Sequence, residues 1–172
     1  AEAVRAMPSI LGEVPGAHLC LVGATDREPG YVATVRELAV ELDVEERVHL
    51  VGFRSDVAEL LREADVFLHT AAADPHPRAV IEAMAAGLPV VAFAVDGVAE
   101  TVVDGSTGRL VGPGDEESLA EAVVEATRNA GAMGAAGRSR VEASFTAEGA
   151  AREVEEILAG ALAEDEEPPV AA

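Results

Sequence analysis

The sequence contains no lysine, no tryptophan and one cysteine, and its apolar runs are short. All twelve basic residues are arginines, and they are set against 32 acidic residues, which gives a formal net charge of -20. Nucleic acids and anionic membrane surfaces are therefore poor partners for the chain as a whole. No apolar run approaches the roughly 18 residues of a transmembrane helix, and the first residues lack the features of a signal peptide. We expect a cytoplasmic protein with no transmembrane segment.

The lone cysteine excludes a disulfide within the chain. Cys20 lies in the apolar run 18–22, so we expect a buried structural thiol rather than a nucleophile. His18, His49 and His69 lie in or beside apolar runs and lack the spacing of metal ligands. We therefore expect no metal site. His69 comes at the end of an apolar run, where ligands collect in open α/β sheets, so it is the strongest functional candidate of the three.

Short apolar runs alternate with helical stretches, which is typical of a parallel sheet covered by helices on both faces. The predicted strands are 17–22, 48–51, 66–69, 90–93 and 109–111. The predicted helices are 32–42, 56–62, 77–86, 98–103, 116–128, 133–143 and 147–163. The fold class is therefore α/β, with a doubly wound, Rossmann-like parallel sheet followed by C-terminal helices. Asp115 and Thr146 are the predicted N-caps of the first and last of these C-terminal helices.

The two ends of the chain depart from this pattern. Apolar residues at 4, 7, 10 and 11 predict an amphipathic helix at the start, whereas a doubly wound unit normally opens on a strand. We expect that a first strand is missing and that residues 1–163 form one domain truncated at its N-terminus. Residues 164–172 are acidic and proline-rich, so we expect a disordered tail.

The most informative segment is 74–91, which predicts a helix running into a buried strand. Asp74 is a natural N-cap, and Pro75 and Pro77 fall where the first helical turn has no N–H bond to lose. Gly87 is a C-terminal stop, and Pro89 opens the next apolar run. The interpretation is a helix from about residue 77 to residue 86.

Asp74 and Glu82 are eight positions apart in this segment. On one helix they would be separated by roughly 12 Å along the axis. Hydrolytic carboxylate pairs lie about 5 to 9.5 Å apart, so this spacing better suits two contacts along one long ligand. A nucleotide-sugar has that length.

Four motifs, in this order along the chain, resemble those of a known family. They are 48–53, 64–69, 74–89 and 97–111 with 113–115. On these motifs the chain is similar to the C-terminal, donor-binding domain of retaining glycosyltransferases of family 4, which have the two-domain GT-B fold. The resemblance covers residues 1 to about 160.

The resemblance implies that Glu82 holds the ribose hydroxyls of a nucleoside-diphosphate sugar and that Asp74, the candidate catalytic residue, lies near the donor sugar. The amides that follow Asp74 would face the diphosphate, as anions favour helix N-termini. The other candidate donor-binding residues are Arg78, Ala79, Val80, His76, Gly52, Arg54, Arg62, Gly97 and Glu100. The family needs no cofactor and no metal, and its acceptor-binding N-terminal domain would be a missing partner.

The chain departs from the family pattern at three points. The family usually has Glu where Asp74 stands, and it often has Gly where Pro77 stands. Its diphosphate-neutralising Arg and Lys lie on a strand before the first residue of this chain. Because such contacts stabilise the transition state by about 3 kcal/mol each, we expect this fragment to be inactive as a catalyst.

Plainer explanations exist for several of these residues. Glu82 could pair with Arg78 one helical turn away, and Asp74 could serve only as a cap. An exposed His76 is often inert, and Glu100 could be a first-turn acid that interacts with the helix dipole. For the whole protein, the alternatives are a non-catalytic nucleotide-sugar-binding or interaction module and, third, a nucleotide-sugar epimerase.

Overall fold

The computed structural model describes residues 1–25 and 29–164. Its helices are α1 (Glu2–Glu13), α2 (Pro29–Glu41), α3 (Val57–Glu63), α4 (Arg78–Ala86), α5 (Asp96–Thr101), α6 (Glu116–Arg128), α7 (Ala130–Ser144) and α8 (Ala147–Glu164). Its strands are β1 (Leu19–Val22), β2 (Val48–Gly52), β3 (Phe67–His69), β4 (Val90–Phe93) and β5 (Gly108–Val111). The predicted tail, apart from residue 164, lies outside the described residues.

All the strand pairs of the described chain are parallel, as the sequence predicts. The strands form two hydrogen-bonded groups, β1-β2 and β3-β4-β5. Helices pack on both faces of the second group, so the doubly wound α/β prediction is confirmed. The expectation that a strand precedes α1 concerns residues that the printed sequence does not contain, and it stays a prediction.

One helical layer covers a face of both strand groups. Its buried side chains include Val4 and Met7 of α1, Val35 of α2 and Leu119 of α6. They pack against alternate residues of the strands, which are Leu19, Leu21, Val48, Leu50, Leu68, Val91, Phe93 and Val111. This shared layer joins the two groups of strands into one core.

A second layer covers the opposite face of β3-β4-β5. It contains Leu61 of α3, Met84 of α4, Val98 of α5 and Val141 of α7. The strand residues facing it are Phe67, Val90, Ala92 and Leu110. All four residues of β4 are consequently buried, because this strand has a packed layer on each side.

The prediction of a buried Cys20 is wrong, because the thiol is exposed. Leu19 and Leu21 point into the shared layer, and side chains alternate across a strand, so Cys20 points to the other face. That face carries Val22, which is 45% exposed, and the exposed His49. An apolar run predicts a strand here, but it does not show that both faces are covered.

The predicted N-caps of the C-terminal helices are confirmed. The Ser118 amide donates to Oδ1 of Asp115 at 3.0 Å, and the Gly149 amide donates to Oγ1 of Thr146 at 3.1 Å. The hydrogen bond from Ser118 lowers the pKa of the Asp115 carboxyl below its usual range. Helix α7 is longer than predicted and begins at Ala130.

Candidate functional site

The site begins where β3 and β4 end. Parallel strands carry their carboxyl ends to one edge of the sheet, so the segment after His69 and the segment after Phe93 start side by side. The Asp74 amide donates to Oδ2 of Asp96 at 3.0 Å, which joins the two segments. The candidate Asp74 therefore lies at the carboxyl edge of the sheet, next to the predicted edge residue His69.

Three contacts hold Asp74. Its Oδ2 lies 3.1 Å from Nε2 of His69, and its Oδ1 accepts a hydrogen bond from the His76 amide at 3.2 Å. The third contact is the bond from its amide to Asp96. The side chains of His69 and Asp74 are 15% and 26% exposed, so the pair is mostly shielded from water. The carboxylate has a fixed direction before any ligand arrives.

Asp74 is not the N-cap of a helix, and this part of the prediction is wrong. Helix α4 begins at Arg78 and is preceded by Pro77, with φ −76° and ψ 69°. A residue that precedes proline is disfavoured in the α conformation, so Asp74 before Pro75 and His76 before Pro77 keep this segment out of the helix. The separation of roughly 12 Å along one helix axis therefore does not apply.

Helix α4 presents three of the candidate donor-binding residues on its surface. Arg78, Ala79 and Glu82 are exposed, while the Val80 side chain is fully buried. Only the backbone of Val80 is thus able to meet a ligand. The predicted alternative of an ion pair between Arg78 and Glu82 is not formed, and across the described chain neither side chain has an ion-pair partner.

The first turn of α4 has backbone amides that make no hydrogen bond in the described chain. The Arg78 amide donates to the His76 carbonyl at 2.8 Å, and the Ile81 amide donates to the Pro77 carbonyl at 3.1 Å. For the amides of Ala79 and Val80 there is no acceptor among the residues that the structure describes. Such unsatisfied amides, together with the helix dipole, favour an anion.

The start of α5 packs against the Asp74 segment. A Cβ atom on Gly97 would lie 2.5 Å from the Pro75 carbonyl oxygen, so only glycine fits at this position. The preceding residue, Asp96, has φ +37°, a conformation that non-glycine residues adopt rarely. Asp96 was not predicted as a site residue, because a positive φ at an aspartate has no sequence signature.

The alternative explanation of Glu100 as a first-turn acid is wrong. Helix α5 spans Asp96–Thr101 and not 98–103, which places Glu100 in its last turn. Asp96 is the acidic residue in the first turn. The Glu100 side chain is exposed, and its carbonyl accepts a hydrogen bond from Arg140 at 2.7 Å.

Three other candidates lie on the β2–α3 segment, and in the described chain no hydrogen bond or ion pair joins them to Asp74. Gly52 ends β2 with φ +79°, and Arg62 lies exposed in α3. The Nε of Arg54 donates to Oδ1 of Asp56 at 2.7 Å, which lowers the pKa of the Asp56 carboxyl and raises the pKa of the guanidinium. Arg54 is therefore engaged by its neighbour.

Within residues 1–25 and 29–164, no group of three or more His, Cys, Asp or Glu side chains is arranged to hold a metal ion. His18 and His49 contact one another, with Nδ1 and Nε2 2.8 Å apart. The expectation that no metal or cofactor is needed stays a prediction.

In the described part of the chain, no helix has both the length and the apolarity to cross a membrane.

The model of the family "Glycosyl transferases group 1" matches residues 2–129. The chain belongs to this family. Its fold is that of the C-terminal domain of GT-B glycosyltransferases, as the sequence motifs predict.

Several proteins to which the chain is similar are glycosyltransferases by name. N-acetyl-alpha-D-glucosaminyl L-malate synthase of Bacillus anthracis is 31% identical over 170 residues, covering 95% of this chain and 42% of that protein. A GDP-mannose-dependent alpha-(1-6)-phosphatidylinositol monomannoside mannosyltransferase of Mycolicibacterium smegmatis is 36% identical over 149 residues, covering 78% of this chain and 37% of that protein.

The crystal structure of Alr3699/HepE of Anabaena in complex with UDP matches this chain with a TM-score of 0.79 and 28% identity. The match covers 88% of this chain and 44% of that one. The chain thus spans less than half the length of each of these relatives.

Proposed function

We propose that this chain binds the nucleoside-diphosphate-sugar donor of a glycosyltransferase. The observation that carries the proposal is the fixed Asp74 carboxylate, which lies close in the chain to the free amides of the first turn of α4. A carboxylate accepts hydrogen bonds from sugar hydroxyls, and the amides suit a diphosphate. One ligand with a sugar at one end and a diphosphate beside it matches both groups.

In this proposal the diphosphate meets the amides of Ala79 and Val80. Arg78 begins the same helix, is exposed and has no ion-pair partner in the described residues, so its guanidinium is available to the phosphates. The net charge of -20 would otherwise repel such a ligand. Local amides and one arginine thus offset an unfavourable overall charge.

Glu82 is proposed to accept hydrogen bonds from the ribose hydroxyls. It is exposed on α4, one turn beyond Arg78, and no residue of the described chain pairs with it. UDP is bound by the HepE relative, and the mycobacterial relative depends on GDP-mannose. These names support a nucleoside diphosphate, while the base and the sugar are left open.

We further propose that the donor sugar is transferred with retention by a longer protein of family 4, whose second domain supplies the acceptor. The relatives, which are more than twice as long, support this arrangement. We place the protein in the cytoplasm, and we expect no turnover from these 172 residues alone. The absence of lysine supports that expectation, because a leaving diphosphate needs nearby cations.

A calorimetric titration tests the binding proposal. UDP, GDP, UDP-glucose and GDP-mannose are titrated into the protein and into Glu82→Ala, which should lose about tenfold or more in affinity, since hydrogen bonds to a charged group contribute about 1.5 to 3 kcal/mol. Glu121→Ala is the matched control, because Glu121 is also exposed on a helix and has no ion-pair partner among the described residues. Equal affinities of the wild type and Glu82→Ala for every ligand would rule out the ribose role.

A non-catalytic nucleotide-sugar-binding module is the second candidate, and the absence of lysine favours it. It predicts the same binding but no transfer by the longer protein. Measuring release of nucleoside diphosphate by the full gene product therefore separates the two functions.

A further inference from the structure

The geometry points to His69 and Asp96 as positioning residues for Asp74, His69 holding its carboxylate and Asp96 its backbone. This inference rests on the proposed function, because the carboxylate they position is the one assigned to the donor sugar. Neither residue touches the ligand in this arrangement. Each acts through Asp74.

His69 is fixed by the sheet. It ends β3 opposite the fully buried Ala92 of β4, and its ring is stacked against that of Phe67 with centroids 6.3 Å apart. Its Nε2 is shielded from solvent and makes no aligned hydrogen bond with another described residue, yet it lies 3.1 Å from Oδ2 of Asp74. Nε2 and Oδ2 are therefore in direct polar contact, and the ring limits where the carboxylate is able to lie.

Asp96 holds the backbone of the same residue. Its Oδ2 accepts the hydrogen bond from the Asp74 amide at 3.0 Å, while its own backbone has φ +37°. A residue held in a rarely adopted conformation persists where its surroundings determine it, and such residues cluster at functional sites. The close packing of Gly97 on the Pro75 carbonyl supplies those surroundings.

Together these contacts fix Asp74 from three directions. The amide is held by Asp96, Oδ2 by His69, and Oδ1 by the His76 amide. Each carboxylate oxygen has two acceptor sites, so one contact apiece leaves room for a sugar hydroxyl. Because the carboxylate is already oriented, binding of the donor costs less conformational entropy of the Asp74 side chain.

The first test compares affinities with and without the sugar, using UDP against UDP-glucose and GDP against GDP-mannose. We expect His69→Leu to weaken sugar-nucleotide binding by about tenfold, the lower end of the effect of a polar contact to a charged group, while UDP or GDP binds within about twofold of the wild type. His69→Gln keeps an N–H donor and should restore most of the loss. Similar weakening for the nucleotide and the sugar-nucleotide would overturn the proposal.

A double-mutant cycle shows whether His69 acts through Asp74. In an Asp74→Ala background, His69→Leu should cause no further loss, because the group that it positions is absent. Asp96→Ala should behave in the same way, whereas Asp96→Asn keeps an acceptor oxygen and should stay near the wild type. Losses that add independently in the Asp74→Ala background would overturn the positioning role.

A third test needs no ligand, so it separates failure of this inference from failure of the proposed function. Long-range ¹H–¹⁵N spectra report the tautomer of each of the four imidazoles. Asp74→Ala should change the signals of His69 and leave the mutually contacting pair His18 and His49 unchanged. Unchanged His69 signals would overturn the inference even if nucleotide binding is confirmed. If no nucleotide binds but His69 responds, the contact stands and the proposed function fails.

Discussion

The group β3-β4-β5 and the group β1-β2 differ in how they are covered. All four residues of β4 are buried between two packed layers, whereas residues alternate between half-buried and exposed along β1. In the described structure, the outer face of β1-β2 leaves Cys20 and Val22 exposed. The contacts that fix Asp74 come from the group covered on both sides. Asp74 is therefore held by the more rigidly supported group of strands, whereas Gly52 and Arg54 belong to the less covered group.

The largest effect on stability is expected at Gly134, where α7 packs closely against the end of α4. A Cβ atom on Gly134 would lie 1.9 Å from the Gly87 carbonyl oxygen, and this backbone oxygen ends the helix of the site. Gly134→Ala should lower the free energy of unfolding by about 3 kcal/mol or more, because the overlap requires a helix shift. Chemical denaturation of the wild type and the variant measures this loss in the free energy of unfolding.

The matched control lies one turn earlier on α7. Gly131 has open space around its Cβ position, so Gly131→Ala should change stability by no more than about 1 kcal/mol. Equal effects of the two substitutions would show that α7 does not depend on this close approach.

The second prediction compares the same substitution in the two groups of strands. Val90 is fully buried and Val22 is 45% exposed. Val90→Ala should cost about 2 kcal/mol or more, through the lost methyl groups and the cavity they leave. Val22→Ala should cost less than about 1 kcal/mol. Urea denaturation midpoints of the two variants compare them directly, and a similar loss for both would contradict the difference in covering.

The smallest effect concerns α6, which belongs to the layer shared by both groups of strands. Because the pKa of Asp115 is lowered in the folded protein, its ionised form stabilises the fold above the unfolded-state pKa of about 3.9. That contribution is lost as the pH falls through the lower folded-state value. The variant Asp115→Asn keeps an N-cap that does not titrate.

The stability advantage of the wild type over the Asp115→Asn variant should therefore shrink between about pH 5 and pH 3. Denaturation midpoints of both proteins, measured across this pH range, test the direction of this change in stability. Parallel curves for the wild type and the variant would show that the cap contributes no pH dependence.

Much of the fold follows from short-range sequence patterns. The strand at Val90–Phe93 and the helix at Glu116–Arg128 have the predicted bounds. The first is a continuous apolar run, and the second has a capping aspartate and an amphipathic repeat. For these two elements the local pattern is sufficient to predict the bounds.

The predictions failed where two rules compete or where distant segments meet. At Asp74 the capping preference of aspartate competes with the effect of a following proline, and the proline prevails. At Cys20 an apolar run does not reveal that one face is uncovered. The contacts of Asp74 with His69 and Asp96 join separate loops, so no local pattern predicts them. The ligand roles of the candidate residues stay predictions.

The exposed thiol of Cys20 is a single site for chemical labelling. The chain has no second cysteine and no lysine, so a maleimide dye attaches at one defined atom without any engineering. Cys20 stands two residues before the end of β1, on the face of β1-β2 that points away from the shared layer. Energy transfer from that dye to a fluorescent nucleotide would report the distance between the uncovered face and a bound ligand in solution.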